Sequence, residues 1–159
     1  MPASRKVKYY SKIQALERAR KYCVYQERCQ TEVRNKLFEW GQRGISLEDI
    51  IAQLISENFI DEERFAKSFA RGKFRMKKWG TQKIISELKQ RNISDYCIQK
   101  ALLEIQPGDM KLVLKSLLEK KALTLKEPNA FKRKQKLAAF AIRKGYNAEF
   151  VWELLRIDD

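Results

Sequence analysis

The sequence has no histidine. That removes the usual general base near neutral pH, the commonest metal ligand, and every Ser-His or Cys-His nucleophile pair. Cysteine is nearly as scarce: Cys23, Cys29 and Cys97 form an odd set with no C-x-x-C pair. Neither a disulfide framework nor a structural zinc site is expected, and the thiols read as buried groups in a reducing cytoplasm. Glycine (six) and proline (three) are too few for long loops. No apolar run approaches the ~18 residues a membrane-spanning helix requires. The basic, polar start from Met1 to Tyr10 lacks the apolar stretch of a secretory signal. No G-x-x-x-x-G-K-[ST] or G-x-G-x-x-G loop is present to cradle phosphates. The one acidic cluster, Asp61-Glu62-Glu63, lies on consecutive helical positions that point apart, where a two-metal site needs converging carboxylates. No catalytic residue, cofactor or metal is expected.

What the chain does have is charge. Lys and Arg number 34 against 20 acids, a net charge of +14. Such an excess bears on partners and solubility, and points to nucleic acid or an acidic protein surface. The distribution is uneven. Arg64 to Arg91 holds ten basic residues and one acid, and Lys111 to Lys144 holds eleven and two. Glu39 to Glu63 reverses the balance, with seven acids and only Arg43.

Self-similarity at a period near 50 organises the chain. Ile45-Ser46-Leu47-Glu48-Asp49-Ile50 is echoed at 93–98 and more weakly at 146–151. Ser46, Ser94 and Asn147 suit helix N-caps. Ile50, Ile98 and Val151 lie four residues past each cap, and Leu54, Leu102 and Leu155 lie eight past, on one helical face. A second helix precedes each echo, marked by Val33, Leu37 and Trp40, then by Ile84, Ile85 and Leu88, then by Leu137, Phe140 and Ala141. A first helix precedes that, marked by Leu16, Ala19 and Cys23, by Phe65 and Phe69, and by Leu114 and Leu118. Nothing alternates with period two, so no strand is expected. The pattern predicts an all-α chain of three tandem three-helix repeats stacked into an elongated, curved body: a basic arm over 1–12, then repeats over 13–60, 61–106 and 107–159.

The helix opening at Asp61 separates its faces. Phe65, Phe69, Gly72 and Met76 fall on one stripe, and Arg64, Lys67, Arg71, Arg75 and Lys78 on another, at 100° per residue. The first stripe is expected to pack and the second to face out. Phe74 points to the basic side, where it stacks on a base or packs against a neighbouring unit.

The stretch Phe59-Ile60-Asp61-Glu62-Glu63-Arg64-Phe65-Ala66, continuing through Trp79-Gly80-Thr81-Gln82-Lys83-Ile84 to Asn92-Ile93-Ser94, resembles the central repeat of the RecX family. Lys134 to Tyr146, with its Arg143-Lys144-Gly145-Tyr146 turn, is similar to the closing repeat. Lys78 stands where many members have a glycine, and Gln42-Arg43-Gly44 looks like a short insertion. The resemblance implies a cytoplasmic, monomeric, non-enzymatic regulator that lies in the groove of the RecA–DNA filament and inhibits recombinase activity in DNA repair and the SOS response. The residues expected to meet filament carboxylates or the phosphates of single- or double-stranded DNA, without sequence preference, are Lys67, Arg71, Phe74, Arg75, Lys77, Lys78 and Lys83. Lys132, Arg133, Lys134, Lys136, Arg143 and Lys144 join them from the third repeat. Two other functions fit three-helix units: a helix-turn-helix transcription factor using 81–91 and 94–105, and a protein-binding solenoid without DNA affinity. The first suits poorly a helix opening on Asp95, Tyr96 and Cys97.

Overall fold

A computed structural model of the chain describes residues 9–157. Nine α-helices and one π-helical turn make up its regular structure, and there is no strand among the described residues. They are α1 (Lys12–Tyr25), α2 (Gln30–Glu39), α3 (Gly44–Ser56), α4 (Glu62–Gly72), the π turn (Lys73–Lys77), α5 (Thr81–Gln90), α6 (Asp95–Leu102), α7 (Pro107–Thr124), α8 (Ala130–Arg143) and α9 (Ala148–Ile157). The all-helical, three-helix-repeat architecture read from the sequence is the one observed.

Short polar side chains set most of the helix starts. Each accepts a hydrogen bond from a first-turn N–H that has no partner within the helix. Ser11 takes the amide of Gln14 at 3.2 Å while the Gln14 side chain accepts from the Ser11 amide at 3.0 Å, a full capping box. Asp61 accepts from Arg64 N at 2.9 Å, Ser94 from Cys97 N at 3.3 Å, Asn129 from Lys132 N at 2.9 Å, and Asn147 from Glu149 N at 2.9 Å. Pro107 opens α7, where its missing N–H costs nothing. Ser46 departs from the expected pattern. α3 begins two residues earlier, at Gly44, and the Ser46 hydroxyl bonds the Gln42 side chain instead of capping.

The chain packs as two compact units. The first comprises residues up to Phe65 together with Arg91–Ile93. In it α1, α2 and α3 pack on one another around Ala15, Ala19, Cys23, Val33, Leu37, Leu47, Ile50, Ile51, Leu54 and Ile60. The α5–α6 connection joins this unit through Thr31, whose hydroxyl donates to the Arg91 carbonyl at 3.1 Å and accepts from Asn92 at 3.3 Å. Residues 1–8 of the expected basic arm lie outside the described residues. Residues 9–12 are not loose: Tyr10 N donates to the Trp40 carbonyl at 3.0 Å, the buried Gln42 amide donates to the Tyr10 carbonyl at 2.8 Å, and α1 begins at Lys12.

The second unit comprises Ala66–Gln90 and the chain from Ser94 on. Here α5 packs on α6, and α8 packs on both α7 and α9 around Leu114, Leu118, Leu137, Ala138, Ala141, Tyr146, Val151, Leu154 and Leu155. All three cysteines are free and buried, and burial pushes the Cys23 thiol up to about 11. No helix among the described residues is long and apolar enough to cross a membrane.

Candidate functional site

α4 starts as the sequence dictates. Asp61 caps it, and Glu62 and Glu63 meet the positive end of its dipole. It does not end as an α-helix. From Lys73 to Lys77 the turn widens to π geometry, and it closes when Lys78 takes a left-handed conformation, φ 59° and ψ 31°. Trp79 N donates back to the Lys73 carbonyl at 3.3 Å and Lys78 N to the Phe74 carbonyl at 3.1 Å. A π turn carries an extra residue, so every side chain after it departs from the 100° wheel.

The expected stripes are corrected on both counts, by an inward line at ordinary i, i+4 spacing and by the π turn that follows it. Phe74 is buried, 8% exposed, while Met76 is 81% exposed. The inward line runs Phe65, Ala66, Ala70, Phe74. Phe74 therefore packs inward, the second of the two roles its position allowed. The cationic stripe is broken as well. Arg64 is committed within the first unit, its guanidinium donating to Glu27 at 2.7 Å and to the Asn58 carbonyl at 2.8 Å. Lys67 is half-buried, and Arg71 lies 3.3 Å from Glu104. Beyond them Arg75, Lys77 and Lys78 are exposed.

The turn after the π segment interlocks with the turn after α8. Gly80 N donates to the Lys144 carbonyl and Gln82 N to the Gly145 carbonyl, both at 2.9 Å. The Tyr146 hydroxyl donates to the Lys78 carbonyl at 2.8 Å. Neither glycine is replaceable on steric grounds. A Cβ on Gly80 would sit 2.5 Å from the Gly145 carbonyl carbon, and one on Gly145 would sit 2.4 Å from the Lys83 Cβ. Gly145 also holds φ +103°, which side chains resist. Burial pushes the Tyr146 phenol up to about 12.

This glycine clasp gathers cations from two stretches of chain far apart in sequence. The Lys144 ammonium donates to the Lys77 carbonyl at 3.3 Å, the Lys78 ammonium donates to the Arg75 carbonyl at 2.9 Å, and Lys83 abuts Gly145. Arg143 is exposed beside them. None of Arg75, Lys77, Lys78, Lys83, Arg143 and Lys144 faces a carboxylate among the described residues, although the chain holds 20 acids.

Trp79 and Lys73 belong to this cluster and were not among the expected residues. Trp79 is half-buried, edge-on to Phe69 at 6.2 Å, with the Lys83 ammonium 4.6 Å and the Lys73 ammonium 5.1 Å from its ring centre. Lysines six before and four after the tryptophan were the available signal.

The remaining expected residues are not brought here. Lys132 and Lys136 sit towards the start of α8, roughly 10–16 Å along the axis from Arg143 at 1.5 Å per residue. Lys132 is exposed. Lys136 pairs with Glu127 at 3.0 Å and holds that carboxyl below its ordinary range. Lys134 is half-buried. Arg133 serves the fold, its guanidinium donating to the carbonyls of Ala122 at 2.9 Å, Leu125 at 2.8 Å and Glu127 at 3.1 Å. It closes the end of α7, where helix carbonyls lack partners.

No group of three or more carboxylate, thiol or imidazole side chains among the described residues is placed to hold a metal ion. The clasp cluster offers positive charge on a hydrogen-bonded backbone frame.

Comparison with known proteins places this arrangement. Residues 61–102 match the family model of the RecX second three-helix domain, and 113–155 match that of the third. Regulatory protein RecX of Prosthecochloris aestuarii is 29% identical over 141 residues, spanning 89% of this chain and 91% of that one. The Pelodictyon phaeoclathratiforme protein of the same name is 27% identical, over 79% of this chain and 77% of its own. A crystal structure of regulatory protein RecX superposes with a TM-score of 0.83 at 25% identity, covering 93% of this chain and 72% of that chain. RecX from Lactobacillus salivarius shares the fold, with a TM-score of 0.79 at 21% identity, covering 91% and 94%. With two successive domain models covering more than half of its length, the chain belongs to the RecX family of regulatory proteins.

Proposed function

We propose that this protein is a non-enzymatic cytoplasmic regulator that binds the RecA–DNA filament and lowers RecA recombinase activity, acting in DNA repair and the SOS response. The observation that carries the reading is the cation cluster at the clasp. Arg75, Lys77, Lys78, Lys83, Arg143 and Lys144 stand around two interlocked backbone turns with no carboxylate of the described chain to neutralise them. Charges held this way attract an external polyanion, and a filament offers one in its surface carboxylates and its DNA phosphates. Binding alone suffices for a regulator of this kind. The repeats over 13–60, 61–106 and 107–159 serve as successive binding modules on the filament.

The test is the double variant Arg75→Glu with Lys77→Glu. Both residues are exposed, so helicity should be kept. Inhibition of RecA ATP turnover by the variant should require at least about tenfold more protein, as expected for reversing two charges in one interface. Wild-type inhibition by a folded double variant removes the cluster from the interface. A parallel titration against DNA alone identifies the contacted anion. Loss on both titrations means phosphate contact, and loss on the filament alone means RecA carboxylates.

A further inference from the structure

The π turn brings one apolar side chain into the cation cluster. Met76 is 81% exposed, between Arg75 and Lys77 and just ahead of Lys78, all three exposed as well. Met110, by contrast, is half-buried against the core of α7, α8 and α9. A single exposed apolar residue is ordinary on a protein surface. What sets Met76 apart is its company and the way its turn is fixed. The backbone around it is tied by Lys78 N to the Phe74 carbonyl at 3.1 Å and by Trp79 N to the Lys73 carbonyl at 3.3 Å. The ammonium groups of Lys78 and Lys144 donate to the carbonyls of Arg75 and Lys77, at 2.9 Å and 3.3 Å. Phe74 takes the inward position, and Met76 is left on the outer side.

Three kinds of partner can be weighed against this face. Nucleic acid would use the cations and leave the thioether idle, because a phosphate row has no apolar recess and an unstacked base calls for a flat ring. The ring of the cluster, Trp79, is half-buried, with Lys83 and Lys73 at 4.6 Å and 5.1 Å from its centre. A lipid surface has an apolar interior, but one methionine is a small insertion where even a single acyl chain binds only marginally. A folded protein surface uses both features. Methionine and arginine are enriched at interface centres and lysine is not, and an unbranched thioether adapts to an irregular recess.

We propose that the clasp docks on a protein surface consisting of an apolar recess rimmed by carboxylates. Met76 is the anchor in the recess, and Arg75, Lys77, Lys78 and Lys144 meet the rim. The inference rests on the reading of the cluster as the filament-facing surface, and it assigns that contact to the recombinase protein rather than to its DNA.

The experiment compares wild type with Met76→Leu, Met76→Lys, and the double variant Arg75→Glu with Lys77→Glu. Each is titrated against RecA–DNA filaments by ATP turnover, and against DNA alone by fluorescence anisotropy at several salt concentrations. Met76→Lys decides, because the two anions predict opposite signs. In an apolar recess the new ammonium is buried without a partner, so half-inhibition should need about tenfold more protein. On phosphates it adds a contact, so binding should tighten and the slope of log K against log salt should steepen by about 0.7–0.9. Met76→Leu keeps the apolar volume and should inhibit within about threefold of wild type. Circular dichroism should show unaltered helicity in all variants, since every changed side chain is exposed. The expected result is Met76→Lys impaired on filaments but not on DNA alone, with Met76→Leu near wild type. Inhibition by Met76→Lys at wild-type concentrations or lower overturns the proposal, and a steeper salt slope beside it assigns the face to phosphates. Equal impairment of Met76→Leu and Met76→Lys also overturns it, because the contact is then not an apolar one. The double variant separates this inference from the reading beneath it. An impaired double variant beside an intact Met76→Lys removes only the anchor, whereas wild-type inhibition by the double variant removes the whole cluster from the interface, and the anchor with it.

Discussion

Replacing Gly80 by alanine tests the clasp directly. The new Cβ would lie 2.5 Å from the carbonyl carbon and oxygen of Gly145 and 2.6 Å from the Tyr146 nitrogen, all backbone atoms. Ordinary contact begins near 3.4 Å, so one turn must retreat by almost 1 Å. The bonds from Gly80 N to Lys144 O and from Gln82 N to Gly145 O start at 2.9 Å. Such a retreat carries them past the reach of a hydrogen bond. Two lost bonds at roughly 0.5–1.5 kcal/mol each, with an overpacking cost of about 1–3 kcal/mol, give a destabilisation of about 2–6 kcal/mol. Followed by ellipticity in urea, with m of roughly 1–3 kcal/mol per M, the midpoint should fall by about 2 M at the centre of both ranges. Gly72→Ala is the internal control. Gly72 has helical dihedrals and nothing within 4 Å of an added Cβ. That variant should gain about 0.5–1 kcal/mol by restricting the unfolded chain. The same chemical change thus has opposite signs at two positions eight residues apart. A Gly80→Ala midpoint within about 0.3 M of wild type, on the same m scale, would refute the interlocked-turn account.

Two other outcomes follow from single side chains. Arg133→Met should cost about 2 kcal/mol or more in thermal unfolding, because three carbonyls at the end of α7 lose a charged donor. The neighbouring exposed Lys132→Ala should stay within about 0.5 kcal/mol, and equal effects would deny Arg133 its structural role. Tyr146 predicts an alkaline weakness. Its phenol is raised in the folded state to about 12 from an ordinary value of 10.0, so the native state keeps a proton that the unfolded state releases between those values. Stability is fully present below pH 10 and is lost as pH rises towards 12, by up to about 2–3 kcal/mol. Urea midpoints at pH 9, 10 and 11 should converge between wild type and Tyr146→Phe, and parallel pH curves would show that the phenol does not titrate in this way.

The helices and their inward faces were legible because spacing alone decides them. Val33, Leu37, Ile50, Leu54, Ile84, Leu88, Ile98 and Val151 were all placed on packed faces by periodicity, and all are buried. Ser94 and Asn147 were likewise evident as caps, whereas Ser46, in the same pattern, bonds Gln42 and does not cap. The wheel failed at Phe74 and Met76. Phe74 keeps the i, i+4 spacing of the buried Ala66 and Ala70, an inward line the two stripes passed over, and the π turn, which leaves no composition signal of its own, carried Met76 out. The left-handed Lys78, standing where a glycine was expected, is the one local hint that the helix ends there. The cations are sorted by the fold and not by their charge. Basic residues look alike in a sequence, and only the fold separates Arg133, committed to three carbonyls, from Arg143 at the clasp. Gly80 and Gly145 are 65 residues apart, and nothing local announces that their backbones meet.

The clasp also bears on how such a surface evolves. Its geometry is carried by main-chain atoms and two glycines, whereas the groups it displays at 77, 78, 83, 143 and 144 are long side chains rooted beside it. Scaffold and display are therefore under separate selection. Lysine, arginine, glutamine or glutamate can be exchanged at most of these positions without disturbing the frame, so the charge on display can drift in small steps while the fold stays fixed. The two glycines have no such freedom, and a lineage can retune the charge on display far more readily than the frame that carries it.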